Sequence, residues 1–110
     1  VFMDPPLGRV GLTEQAARDK NLDIKVAVLP AAAIPRARLM GETTGMLKAV
    51  VDAKTGTILG CALHCADAGE MINVVETAIR AGKDYTFLRD MIYTHPSMTE
   101  ALNDLLSKIK

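Results

Sequence analysis

Apolar residues in the first half of the chain follow patterns that predict β-strands. Ile24, Val26 and Val28 alternate with other residues, which is the period-two pattern of a half-buried strand. Two β-rich runs further along are separated by four turn-forming residues that end in Gly56, the pattern of a hairpin. An apolar triplet opens the sequence and ends at Asp4 and two prolines, which predicts a strand and its turn. The predicted strands are residues 1–3, 24–28, 46–52 and 57–63.

Helical spacing predicts a short and a longer helix. Thr13 is a suitable N-cap for a short helix that stops near Asn21. Asp67 and Glu70 have the spacing of a capping box at the start of the longer helix, and Gly82 is a typical residue for its end. The apolar residues expected on one face of that helix are Met71, Ile72, Val75, Ala78 and Ile79.

A final helix is predicted at the end of the chain. Ser97 and Glu100 form a second capping-box pair, and a short helix is expected before it at residues 87–90. The apolar positions of the final helix are Met98, Ala101, Leu102, Leu105, Leu106 and Ile109. Strands in series followed by helices in series predict an α+β fold, in which helices cover one face of an antiparallel β-sheet.

The segment between the second strand and the hairpin has no clear period. Residues 30–35 are expected to be irregular, because Pro30 and Pro35 bound them. Arg36 and Arg38 flank Ala37, which we interpret as a strand with its arginines on a solvated face.

Composition limits the classes of protein that fit. The chain has 110 residues, 49% of them hydrophobic and 24% charged, as expected for one globular domain. Thirteen basic residues balance thirteen acidic ones and no Trp is present, which argues against a nucleic-acid partner. No apolar run approaches the roughly 20 residues of a membrane helix, and two cysteines are too few for a secreted disulfide framework. We therefore expect a cytoplasmic protein.

The first residues and the glycine pattern indicate a domain of a longer protein. The chain begins on an apolar triplet, as if cut at the first element of a domain. No GxGxxG follows a predicted strand, and no P-loop is present. The domain, residues 1–110, is therefore expected to have no nucleotide site of its own.

The loop before the last helix holds the best candidate for chemistry. Pro96 disfavours helical geometry at His95, so the imidazole is expected at a loop tip just before a capped helix. An imidazole has an ordinary pKa near 6.5, which suits general acid-base work, and a carboxylate such as Glu100 can orient it. The residues alone favour the simpler interpretation, in which Glu100 only completes the capping box and His95 is a loop histidine without a role.

The segment from His95 to Glu100 resembles the signature of the pyridine nucleotide-disulfide oxidoreductases, which include glutathione reductase, dihydrolipoamide dehydrogenase and mercuric reductase. Three more segments resemble the C-terminal dimerisation domain of that family. They contain Asp4, Pro5, Val10, Gly11, Thr13, Glu14 and Ala17; Gly45, Lys48, Thr55, Gly56, Leu59 and Gly60; and Ala68, Glu70, Met71 and Ile72. The resemblance thus runs nearly from end to end.

This resemblance implies a homodimer of a larger flavoprotein whose upstream domains bind FAD and NAD(P)H and carry a redox-active disulfide. His95 would act as acid and base on a thiol in the partner subunit, with Glu100 orienting it. Tyr93, Thr94 and Pro96 would approach the partner's flavin, although several relatives have a second His where this chain has Tyr93. The isolated domain is expected to be inactive.

The subgroup and the substrate are less well determined. Mercuric reductases carry a terminal cysteine pair, whereas this chain ends Ile109, Lys110, so mercury is a poor candidate substrate. The stretch after the hairpin resembles reductases linked to reactive-chlorine resistance. A disulfide, a metal ion or an oxidant stays open as the substrate, and so does the choice between NADH and NADPH.

Two other interpretations remain. The chain could be a free-standing, non-enzymatic dimeric module, or a small thiol or metal-binding protein built on Cys61, His64 and Cys65. In a continuing strand the two cysteine Cα atoms would be about 13 Å apart, beyond the limit of about 7 Å for a disulfide. Alternation would also turn His64 to the other face, so buried structural thiols and no metal site are expected.

Overall fold

A computed structural model of the chain describes residues 6–109. The strand predicted at residues 1–3 and the first part of its turn, Asp4 and Pro5, lie outside the described residues. Four strands form one antiparallel sheet in the order β1-β4-β3-β2. They are β1 (Leu7–Gly11), β2 (Ile24–Pro30), β3 (Met46–Asp52) and β4 (Ile58–His64).

Five α-helices and one 3₁₀ helix accompany the sheet within residues 6–109. The α-helices are α1 (Glu14–Asp19), α2 (Pro35–Met40), α3 (Ala68–Arg80), α4 (Tyr85–Arg89) and α5 (Ala101–Ser107), and the 3₁₀ helix is Ala31–Ala33. Of the described helices, none combines the length and the apolar character needed to cross a membrane.

The main core lies between one face of the sheet and the longer helices. Helix α3 packs against β1 and β4, whereas α5 packs against β2 and β3. Leu47, Val51 and Leu63 are fully buried in this layer, together with Leu102 and Leu105 of α5. The predicted α+β fold, an antiparallel sheet covered by helices on one face, is confirmed. The six-residue α1 contributes a further contact, in which Glu14 pairs with Lys48 of β3.

Strand β2 faces the core with the opposite set of side chains from the one that its alternation suggests. Ala27 and Leu29 are buried, while Val28 is 41% exposed. The pattern misled because Ala27 is as apolar as its neighbours, so two adjacent positions could each belong to the buried face. Strand β1 was not predicted at all, since two of its five residues are glycines.

The arginine-bearing segment after β2 is a helix and not a strand. Pro35 occupies the first turn of α2, where its missing N–H leaves no hydrogen bond unmade, and Ala37 is fully buried. Gly41 ends the helix in the left-handed region, with φ of 72°. The predicted irregular stretch at residues 30–35 instead includes the 3₁₀ helix and the start of α2.

The predicted helix ends are partly confirmed. The Ala16 N–H donates to Thr13 Oγ1 at 3.0 Å, and Gly82 follows α3 with φ of 73°. Asp67 was expected to cap α3 with its side chain, which is wrong. It adopts φ of 62° and makes no side-chain cap hydrogen bond.

Candidate functional site

The candidate site is the loop of residues 90–100, which connects α4 to α5. Its central residues Thr94, His95 and Pro96 are exposed, and the His95–Pro96 peptide bond is cis. The helix predicted to follow Ser97 begins later, at Ala101, because residues 98–100 form a turn first. The loop therefore ends in a short turn that precedes α5.

The structure brings His95 and Glu100 into direct contact. His95 Nδ1 lies 2.7 Å from Glu100 Oε1. The two side chains differ in solvent access, with 71% of the His95 side chain exposed against 19% for Glu100. An ionised carboxylate can only accept a hydrogen bond, so Nδ1 carries the proton and the neutral ring keeps its lone pair on Nε2. The geometry leaves Nε2 as the nitrogen that can accept a proton.

Glu100 also takes part in the predicted capping box. Its Oε1 accepts from the Ser97 N–H at 3.4 Å, and its own N–H donates to Ser97 Oγ at 3.3 Å. Glu100 can therefore complete the capping box and contact His95 at the same time, because one carboxylate oxygen, Oε1, lies near both the Ser97 N–H and the imidazole. This shared contact ties the orientation of the ring to the start of α5.

Tyr93 is held by its own domain. Its side chain is half-buried, and its hydroxyl donates to the Leu88 carbonyl at 2.9 Å. Burial raises the pKa of Tyr93 to about 12, so the phenol stays protonated at neutral pH. Of the three residues expected near a partner's flavin, Thr94 and Pro96 have exposed side chains, whereas Tyr93 anchors the loop.

Asn103 is a loop contact that sequence reasoning missed. Its side-chain amide on α5 donates to the carbonyls of Arg89 and Met91 at 2.8 and 2.9 Å. One signal in the sequence could have pointed to it. Asn103 lies one helical turn after Glu100 in a leucine-rich helix, and asparagine is not favoured there by helix propensity.

An apolar surface adjoins the loop. Ile92 is 96% exposed, and Phe87 and Met91 are exposed large apolar residues nearby in sequence. A groove of about 450 Å³ lies between α3 and α4, lined by residues that include Val74, Phe87 and Met91. We call this groove and Ile92 the α3–α4 surface. Exposed apolar residues grouped in this way are candidates for an interaction site.

The cysteines do not form a reactive pair. Cys61 and Cys65 are both free and buried, as predicted. Burial raises the pKa of Cys61 to about 12 and that of Cys65 to about 11, so both thiols are protonated at neutral pH. Among residues 6–109, no group of three His, Cys, Asp or Glu side chains could hold a metal ion.

The family comparison covers nearly the whole chain. The sequence model of the pyridine nucleotide-disulphide oxidoreductase dimerisation domain matches residues 1–106. A probable pyridine nucleotide-disulfide oxidoreductase, RclA of Escherichia coli (strain K12), is 58% identical over 110 residues, which are 100% of this chain and 25% of that protein. A mercuric reductase of Bacillus cereus is 40% identical over 92% of this chain and 16% of its own length. The chain thus spans a quarter or less of these relatives.

Solved structures agree in fold. The HOCl-induced flavoprotein disulfide reductase RclA from Escherichia coli superposes with a TM-score of 0.97 at 58% identity, over 100% of this chain and 25% of that chain. LpdA from Mycobacterium tuberculosis has a TM-score of 0.88 at 20% identity, over 97% of this chain and 23% of that chain. The second likeness, at that identity, concerns the fold alone.

Proposed function

The chain belongs to the dimerisation-domain family of the pyridine nucleotide-disulphide oxidoreductases, and from this membership we propose that it builds the homodimer of a flavoprotein disulfide reductase and supplies a His-Glu pair to the partner subunit. The chain spans 25% of RclA and 16% of the mercuric reductase, so both relatives are several times as long as this chain. That length favours a domain of a larger reductase over a free-standing module. The two free cysteines are compatible with a reducing compartment, and we propose a cytoplasmic enzyme.

The contact between His95 and Glu100 carries the proposal. The thiolate is the nucleophile in thiol-disulfide exchange, so a base that removes the thiol proton raises the reactive fraction. Nε2 of His95 would take that proton, and the carboxylate 2.7 Å from Nδ1 would stabilise the imidazolium that forms. In the reverse direction the same ring would return the proton to a thiolate.

The cofactors would be held elsewhere in the parent enzyme. The chain has no glycine-rich motif for a dinucleotide phosphate, so FAD and NAD(P)H fit the upstream domains and not this one. When bound, the flavin supplies the electron transfer between NAD(P)H and the disulfide. The exposed Thr94 and Pro96 are the residues here that would approach the partner's flavin, and they would help to exclude water from it.

The α3–α4 surface supports a second copy as the partner. Its residues Met91 and Ile92 precede His95 by four and three positions in the chain, so docking of a twofold-related subunit there would bring the imidazole close to the interface. An isologous interface uses the same patch on both subunits. One surface therefore accounts both for the dimer and for a base that acts in the partner.

The decisive test is His95→Gln in the parent reductase, with His64→Gln as the matched control. General acid-base groups contribute about 10²- to 10⁴-fold, so we expect kcat to fall by at least about 100-fold with the flavin still bound. His64 lies at the end of β4 and has no proposed role, so its variant should keep wild-type turnover. Unchanged turnover in His95→Gln, measured by steady-state kinetics, would rule out the catalytic role.

A further inference from the structure

The end of α4 presents backbone carbonyls that the helix itself cannot satisfy. The last turn of any α-helix leaves such groups without N–H partners. Helix α4 ends at Arg89, and its chain then turns into the loop that carries His95. Side chains from outside α4 provide hydrogen bonds to these carbonyls.

Asn103 provides most of them from α5. Its Nδ2 lies 2.8 Å from the Arg89 carbonyl oxygen and 2.9 Å from that of Met91. The Leu88 carbonyl oxygen is a longer contact of the same amide, at 3.5 Å, and also accepts a hydrogen bond from the Tyr93 hydroxyl at 2.9 Å. A side-chain amide has two N–H groups, so both are used in the two short contacts.

These contacts and the Glu100 contact hold the loop at two points, one from α5 and one from the residue just before it. Glu100 and Asn103 are three residues apart, so they lie on the same side of the start of α5. Asn103 holds Met91 at the beginning of the loop, whereas Glu100 holds His95 in its middle. Ile92 lies between the held residues and is 96% exposed. The segment between the two points is short, so its course is set by α5.

We infer that Asn103 is a positioning residue for His95: by fixing the carbonyls of Arg89 and Met91, its amide keeps the imidazole in register with Glu100. The inference rests on the proposed function of His95. The ring is largely exposed, so its position depends on the Glu100 contact and on the backbone that carries it. A displacement of about 1 Å at a reacting group can lower a rate by about 100-fold.

The first measurement is made on this chain and needs no catalysis. Ring ¹⁵N chemical shifts of His95 report which nitrogen carries the proton. We expect the Nδ1–H form to dominate in the wild-type chain and to lose that dominance in Asn103→Ala and in Asn103→Asp. The aspartate is isosteric but lacks both N–H donors. Asp104→Ala, an exposed neighbour on the same helix, is the matched control and should leave the tautomer unchanged.

The second measurement is the pH profile of kcat/KM in the parent reductase. Asn103→Ala should lower kcat/KM for the disulfide by about 10- to 100-fold and move the His95 limb of the profile, with the NAD(P)H KM unchanged. Loss of stability alone would lower the amount of active enzyme without moving that limb. If Asn103→Ala fails to fold, Asn103→Ser replaces it, because the neutral hydroxyl has one donor and is too short to reach both the Arg89 and the Met91 carbonyls.

The outcomes separate the two hypotheses. A wild-type tautomer and an unshifted profile in the Asn103 variants would overturn the positioning role, even if His95→Gln abolishes turnover. A normal rate in His95→Gln would overturn the proposed function, while the ring tautomer would still show whether Asn103 orients the imidazole.

Discussion

At the scale of single residues, the two thiols show how burial sets chemical behaviour. Cys61 lies in the middle of β4 and Cys65 just beyond its end, and both contribute to the core. Burial is the main cause of both raised pKa values. Repulsion by the Cys65 thiolate raises the pKa of Cys61 further, and repulsion by the Asp67 carboxylate does the same for Cys65. Both groups therefore behave as apolar packing at neutral pH and not as nucleophiles.

This burial predicts a loss of stability at alkaline pH. The Cys61 thiol has a pKa of 9.0 as its ordinary value and about 12 when folded. Between these values the unfolded chain binds fewer protons than the folded chain, so the free energy of unfolding must fall as pH rises from about 9 towards 12. Below pH 9 this contribution is fully present. Urea unfolding at pH 8, 9 and 10 should show a steeper fall for wild type than for Cys61→Ala.

Thiol labelling provides the control for that experiment. The folded chain should react slowly with a disulfide reagent at pH 8, and both cysteines should react at once in denaturant. Rapid labelling of the folded chain at pH 8, or equal pH slopes for wild type and Cys61→Ala, would show that Cys61 is not held in its protonated form.

The residue scale also shows how far the sequence could predict the site. The capping-box pair of Ser97 and Glu100 could be predicted because its spacing is local, whereas the pairing of Glu100 with His95 was expected mainly from the family resemblance. Asn103 could not be assigned a role, since its acceptors are the carbonyls of Arg89 and Met91, 14 and 12 residues away. The spacing of apolar residues along the chain does not predict such a contact, because the contact depends on how α4 and α5 pack against each other.

At the scale of elements, the strongly patterned segments were predicted best. The bounds of β3 match the prediction, and those of β4 differ by one residue at each end. Strand β1 has little pattern of its own and is defined by its pairing with β4, where Leu7 lies opposite His64 and Gly11 opposite Gly60. Pairing across more than 45 residues of sequence cannot be read from a five-residue segment.

The close approach of Leu12, the residue after β1, to Gly60 of β4 leads to a prediction, with Gly69 of α3 as the comparison. A Cβ at Gly60 would lie 1.7 Å from the Leu12 carbonyl oxygen, so the backbone would have to move. We expect Gly60→Ala to lower the free energy of unfolding by about 3 kcal/mol. Gly69 lies in α3 with no atom within 4 Å of its added Cβ, and Gly69→Ala should raise that free energy by about 1 kcal/mol.

Chemical denaturation of the two variants gives the comparison directly, because the same atoms are added at both positions. Opposite signs are expected. A loss of stability in Gly69→Ala as large as in Gly60→Ala would mean that the close approach of Leu12 to β4 does not limit this position.

At the scale of the whole molecule, Ile92 and the groove between α3 and α4 are the exposed apolar features that we propose as the contact with a second copy. Ile92 projects into solvent from a short segment held at Met91 by Asn103 and at His95 by Glu100, so little backbone conformational entropy remains to be lost when it is buried. The adjoining groove between α3 and α4 offers apolar walls, including Val74 and Phe87, to a second copy. A preorganised apolar residue beside such a groove is expected to contribute strongly to the dimer.

Ile92→Asp should therefore weaken the dimer of the parent reductase. Removing one buried isoleucine from an interface forfeits about 1.5 to 3 kcal/mol, which corresponds to roughly a 10- to 100-fold rise in the dimer Kd, and the new carboxylate adds a desolvation penalty. Leu39→Asp is the matched control, because Leu39 is also strongly exposed but lies on α2. Sedimentation over a concentration series measures the dimer Kd of both variants.

The weaker dimer should also affect turnover. Because His95 would act only across the interface, turnover of Ile92→Asp should fall on dilution in step with the dimer fraction. A variant that stays dimeric at the wild-type Kd, or a Leu39→Asp protein that dissociates as readily, would place the interface on another surface.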